Sequence, residues 1–242
     1  MALQLGGGME QIIDADWRSF FATADVAFLL GFSSLFSIIN PIGGALIFDS
    51  VAKDFAPADR MIMAARVGLY SLLIMFGALW GGTYVLHFFG VSIVALRIAG
   101  GLVVASSGWQ LLISGDRHAD QKGHEPVAIW GGDGDPQQLA FFPLTLPFTT
   151  GPGTIAVAIT IGAERLSSDV GFVAFFVGTS LAAVVNAGII WIAYRFADRL
   201  TRFMGATARQ VIVRLTAFLL MCIGVQILVG ALGDLIAEWR VA

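Results

Sequence analysis

The sequence predicts an all-α membrane protein of six transmembrane helices. They are expected to form two inverted three-helix repeats, with the first helix broken in each. Three observations carry this expectation: an oily composition, six apolar runs, and matching interruptions in the first and fourth runs. The 242-residue chain is 57% hydrophobic and only 13% charged, with a mean hydropathy of +0.82. Soluble domains carry about 25% charged residues. A water-soluble globule of this size cannot hide so much apolar surface. The net charge of −3 leaves no basic surplus for nucleic acid.

A spanning helix needs about 20 mostly apolar residues. Six segments qualify, at roughly 25–51, 63–88, 91–114, 139–162, 170–196 and 210–235. The expected organisation is an N-terminal interfacial segment (1–24), a first repeat (25–114), a cytoplasmic loop (115–138) and a second repeat (139–242). Met1–Thr23 lacks the basic start and apolar core of a cleaved signal. Within it, Ile12, Ile13, Trp17, Phe20 and Phe21 alternate with acids and Arg18, which suggests a short interfacial helix over Met9–Phe21.

The loop Gly115–Gln138 is polar and rich in Gly and Pro, as a surface connection should be. His118 and His124 lie there with Asp116, Asp120 and Glu125, but their spacing matches no metal-ligand pattern. The single cysteine, Cys222, cannot form a disulfide within the chain and reads as a small apolar residue. No cofactor and no metal are expected.

Basic residues set the expected orientation. Lys53, Arg60, Arg66, Arg117, Lys122, Arg195, Arg199, Arg202 and Arg209 fall on one side, against Arg18, Arg165 and Arg240 on the other. By the positive-inside rule the first side is cytoplasmic, so both termini are expected in the periplasm. Trp80, Tyr84, Trp191 and Tyr194 fall near predicted helix ends, where amphipathic rings prefer to sit.

The halves match in order. Asn40-Pro41-Ile42-Gly43 aligns with Gly151-Pro152-Gly153-Thr154, and Val67-Gly68 with Val177-Gly178. Arg97 precedes Gly108-Trp109-Gln110 as Arg214 precedes Gly224-Val225-Gln226, with a one-residue gap. Each half has three spans, an odd number, so the second half enters the membrane from the opposite face. That is a recurring plan of secondary transporters.

Pro41 and Pro152 supply no N–H, and glycine permits dihedrals other residues avoid. Backbone freed inside lipid survives only in protein or beside a water-filled cavity. A helix restarting after the break offers unpaired N–H groups and a partial positive charge. Such a terminus suits a carboxylate. Candidate substrate-binding residues are therefore Asn40, Pro41, Gly43 and Gly44 at the first break. Thr149, Thr150, Gly151, Gly153 and Thr154 are the candidates at the second. The same glycines could serve plain helix packing.

Charged or amide groups within spans are costly and worth explaining. Asp49 is expected to pair with Lys53 at the boundary. Arg97 and Arg214 either snorkel or act as gate residues. Gln110 and Gln226 could bridge helices, and Asn186 is the preferred site-lining residue among the amides.

The NPIG segment with its following apolar run to Phe48, and PLTLPFTTGPGTIAVAI (Pro143–Ile159), resemble the MarC family of bacterial inner-membrane proteins. The resemblance covers roughly residues 25–235 and implies a multi-pass protein of the bacterial inner membrane. It also implies similarity to lysine-exporter-type transporters and transport of small neutral amino acids such as glycine and alanine. Asn40, Pro41, Gly43, Gly151, Pro152, Gly153 and Thr154 fall on the family motifs; Leu46 stands where the family often has proline.

The expected function is a secondary transporter for such amino acids. A channel or exporter for another small solute is the alternative. A membrane enzyme is disfavoured, because the spans hold no carboxylate cluster or nucleophile–base pair. The expected partners are a small-molecule substrate and the lipid bilayer; a homo-oligomer stays open.

Overall fold

The computed structural model describes residues 2–120, 135–164 and 169–241. Lys122, His124, Glu125 and Arg165 of the preceding section lie outside them. The described residues contain helices and no strand. In chain order these are α1 (Ala2–Ile39), α2 (Pro41–Ala52), α3 (Pro57–Phe76), a π-turn (Gly77–Gly81), α4 (Gly82–Phe89) and α5 (Ile93–Asp120). Then come α6 (Pro136–Leu139), an irregular wide coil (Ala140–Thr149), α7 (Pro152–Ala163), α8 (Asp169–Arg195) and α9 (Ala197–Val241).

Five stretches are long and apolar enough to cross a bilayer: Trp17–Ala52, Pro57–Phe89, Ile93–Gln110, Gly171–Arg195 and Gln210–Ala237. Pro136–Thr149 and Pro152–Ala163, bent by 66° at their junction, pass the same test only together, as a broken span or a re-entrant loop. The N-terminal segment is helical and continuous with the first span: α1 runs unbroken from Ala2 to Ile39. Trp17, Phe20 and Phe21 form an aromatic cluster on it, with ring centroids 5.6–6.2 Å apart.

Lipid tails are as apolar as leucine, so burial of oil does not hold these helices together; close packing does. Small residues let the backbones approach. The broadest interface joins α5 to α9, and α1 and α3 both pack on α8. A Cβ on Gly108 would lie 2.5 Å from the Met221 nitrogen, and one on Gly224 would lie 2.3 Å from the Ala105 nitrogen. Gly31 meets Ala182 on α8, and Gly68 meets Trp191 and the Ala187 carbonyl. The α7 helix packs on α5, the π-turn and α1, while α2 packs on α8 and α9. Leu35, Phe48, Met63, Met75, Leu79, Leu144, Ile190 and Tyr194 fill the centre. Leu29, Leu73, Leu181 and Leu219 point outward, as lipid-facing residues would. Cys222 is exposed on α9.

The charged residues depart from the sequence expectation in one respect. Asp49 pairs with Arg60 at 2.5 Å, not with Lys53. The short connection after α2 brings the first turn of α3 near its end, so Arg60 reaches Asp49 while Lys53 stays exposed. Arg97 reaches Asp234 at 2.8 Å and Glu164 at 3.5 Å, tying α5 to α9 and to the end of α7. Gln110 and Gln226 are exposed on α5 and α9 rather than lying between helices.

The α7 crossing gives a direct test of packing. A Cβ on Gly162 would sit 1.8 Å from the Leu79 carbonyl oxygen, whereas one on Gly230 meets nothing within 4 Å. Gly162→Ala should therefore cost about 1–3 kcal/mol through overpacking, and Gly230→Ala should not. Thermal unfolding in detergent, followed by intrinsic fluorescence, compares the two.

Candidate functional site

The first break is one residue wide. The α1 ladder runs up to Asn40, whose N–H donates to the Phe36 carbonyl at 3.0 Å. Asn40 then turns left-handed, at φ 47° and ψ 68°, the one positive-φ non-glycine residue among those described. Asparagine tolerates that region better than most residues. Its Oδ1 accepts from the Gly43 N–H at 3.3 Å, and its carbonyl accepts from the Gly44 N–H at 3.0 Å. Pro41 has no N–H to satisfy and is preset for a first helical position. One residue thus ends α1 through its backbone and caps α2 through its side chain.

The second break is wide. Phe142 and Leu146 leave helical dihedrals, and the bonds before Pro143 and Pro147 are cis. Prolines remove donors from this coil, and threonines supply others. Thr145 Oγ1 donates to the Ala140 carbonyl, and Thr149 Oγ1 to the Leu144 carbonyl, each at 2.6 Å. The Thr150 N–H donates to the Thr145 carbonyl at 2.9 Å. The α7 helix then starts at Pro152 after an extended Gly151, with no side-chain cap on its first N–H groups. None of the neighbouring threonines caps it. Their hydroxyls are already engaged elsewhere, Thr149 as above and Thr150 with Ser71.

The two breaks meet on one buried side chain. The Tyr194 hydroxyl, from α8, is 2.7 Å from Thr149 Oγ1. Its ring lies 5.0 Å from that of Phe48 on α2. A Cβ on Gly44 would fall 2.3 Å from the same hydroxyl, so α2 can approach only because residue 44 is glycine. Beside this, Thr150 donates to Ser71 of α3 at 3.0 Å. Ser71, Thr149, Thr150 and Tyr194 are each at most 2% exposed.

The candidate residues fall as follows. Asn40, Pro41, Gly43 and Gly44 shape the first break. Thr149, Thr150, Gly151, Gly153 and Thr154 shape the second, and Thr154 is buried. Protein atoms already crowd the glycines: Tyr194 at Gly44, Val104 at Gly153, Asn40 and Thr216 at Gly43. Asn186 is fully buried where α8 meets α1. Its amide donates to the Ala182 carbonyl at 2.9 Å and the Phe32 carbonyl at 3.5 Å, and its Oδ1 has no partner. A cavity of about 280 Å³ opens outside the first break, against α9, lined by Ser37, Asn40, Pro41, Thr216 and Leu220 among others. Sequence reasoning missed Ser71 and Tyr194. Tyr194 lies one residue from the end of α8 and looked interfacial, but its side chain turns inward.

These features define a polytopic α-helical membrane protein whose two interrupted spans converge on a shared tyrosine. The chain belongs to the MarC family: the model described as MarC family integral membrane protein matches residues 26–236. It is 32% identical over 212 residues to inner membrane protein MarC of Escherichia coli O1:K1, and equally to that of Escherichia coli strain K12. Each alignment covers 87% of this chain and 96% of the relative. No solved structure matches.

The tyrosine contact can be tested by a double-mutant cycle. Tyr194→Phe removes one interhelical hydrogen bond and should lower stability by about 0.6–2 kcal/mol. Gly44→Ala pushes a methyl group against the hydroxyl and should destabilise as well. The double variant should be more stable than the sum of the two losses implies, because the clashing oxygen has gone. Thermal melts of the four proteins in one detergent give the coupling.

Proposed function

We propose that this protein is a secondary transporter, an exporter or facilitator, for small neutral amino acids such as alanine or glycine in the bacterial inner membrane. It would work as two inverted three-helix repeats. The observation that carries the reading is an exchange symmetry in the packing. Swap the first span with the fourth, the second with the fifth and the third with the sixth. The pairing of first with fifth then becomes fourth with second, and third with fourth becomes sixth with first. The pairings of third with sixth, second with fifth and first with fourth map onto themselves. Related halves of opposite direction can take up two conformations of similar energy, one open to each face.

The site chemistry fits a zwitterion. The α7 helix begins without a side-chain cap, so its first N–H groups and partial positive charge are available to a carboxylate. Asn40, Ser71 and Tyr194 offer neutral hydrogen-bonding groups around the two breaks. Gly44 and Gly153 hold the two breaks in close packing, with Tyr194 and Val104 against them. The reading assigns no catalytic residue, since the solute is moved unchanged. The names of the Escherichia coli relatives support an inner-membrane location.

The test is uptake of labelled alanine and glycine into liposomes containing the purified protein. Wild type should give saturable uptake above empty vesicles. Gly153→Leu, which drives a large side chain toward Val104, should reduce it about tenfold or more while the protein still elutes as a folded species. Absence of uptake by wild type would refute the amino-acid reading, and non-saturating flux would favour a channel.

A further inference from the structure

Away from the two breaks, a second group of polar side chains has no account in the packing. Trp80 Nε1, Thr83 Oγ1, Thr160 Oγ1 and Ser180 Oγ are buried atoms without a hydrogen-bond partner. Buried polar groups are ordinarily paired, and each exception calls for a water or a ligand. The exceptions are specific. Elsewhere in these helices, Ser37, Ser50, Ser107, Thr179 and Thr201 donate to a carbonyl three or four residues back. Thr83, Thr160 and Ser180 have the same option and do not take it.

The four lie on elements that touch one another: the π-turn packs on α4 and α7, and Trp80 reaches α8. Trp80 belongs to the π-turn, and its ring is 4.2 Å from that of Phe176 on α8. Ser180 is one turn beyond Phe176 on the same helix face. Gly82 packs on Ile159, which places Thr83 and Thr160 at the same level of the α4–α7 crossing. Beyond Thr160 by one turn is Glu164, in the ion-pair cluster with Arg97 and Asp234. Single-turn π insertions recur at functional sites.

We propose that Trp80, Thr83, Thr160 and Ser180 line a hydrated vestibule between the Arg97–Glu164–Asp234 cluster and the broken spans. Three hydroxyls can donate and accept, and the indole donates. No charged side chain is among the four, so the vestibule suits water and small neutral or zwitterionic solutes rather than a bare ion. Its use by the transported amino acid rests on the reading above; its wetting does not.

The experiment uses the full-length protein with Cys222→Ser, which removes the single native thiol. Ser180→Cys, Thr160→Cys and, as a lipid-facing control, Leu181→Cys are introduced one at a time. Each is treated in membrane vesicles with a small, charged, membrane-impermeant methanethiosulfonate. The reactive species is the thiolate, which forms in water and not in lipid. Ser180→Cys and Thr160→Cys should react about tenfold or more faster than Leu181→Cys, and from the face that bears Arg97. Rates no faster than the control, with all three proteins fully labelled once denatured, would overturn the vestibule. Slowing of the reaction by alanine supports passage of the amino acid. Rapid labelling that alanine leaves unchanged keeps the vestibule and counts against the amino-acid reading.

Discussion

A backbone group in hydrocarbon must find its partner inside the protein. That constraint governs both interruptions in this chain. A span that stopped being helical at mid-depth would expose carbonyls and N–H groups with nothing to receive them. The first break solves the problem with a single asparagine that closes one helix and opens the next. The second uses threonine hydroxyls to reach carbonyls five residues back, through a coil that prolines prevent from being helical. The different solutions give different surroundings. The first break borders a cavity against α9, and the second is bonded to buried hydroxyls from other spans.

Those hydroxyls matter more here than they would in a soluble core. With no hydrophobic drive between helices, a span is positioned by how closely its neighbours can approach and by the few polar contacts across them. Tyr194 does both. It bonds to Thr149, and its oxygen fills the space that Gly44 leaves. The Thr150–Ser71 bond does the same between the second break and α3. Four spans are thereby held to a common register around the two discontinuities: α2, α3, α8 and the stretch before α7.

Much of this was legible in the residues. The six spans follow from run length and hydropathy. The first break was visible in Asn40-Pro41, where a proline cannot continue a helix and an asparagine can step out of it. The second was visible in three closely spaced prolines, Pro143, Pro147 and Pro152. What was not legible was which distant side chain would arrive at each break. Local pattern reports the faces of one helix and says little about its neighbours. Sequence alone therefore sets Tyr194 at an interface and Asp49 beside its neighbour Lys53, and it gives no signal for Ser71 in its apolar run. Acidic residues interrupt the hydrophobicity of the N-terminal segment, yet the α1 helix continues straight through it.

The two discontinuities are mechanically unequal. At Asn40 the whole interruption falls on one pair of torsions, and the proline that follows keeps that residue from rejoining a right-handed helix. Before α7 the interruption is spread over a longer stretch, with Phe142 and Leu146 out of helical dihedrals and Gly151 extended. Neither can be ironed out into an uninterrupted rod, because Pro41, Pro143, Pro147 and Pro152 could never supply the missing donors however the chain turned. Each half therefore carries a permanent joint, narrow in the first and broad in the second.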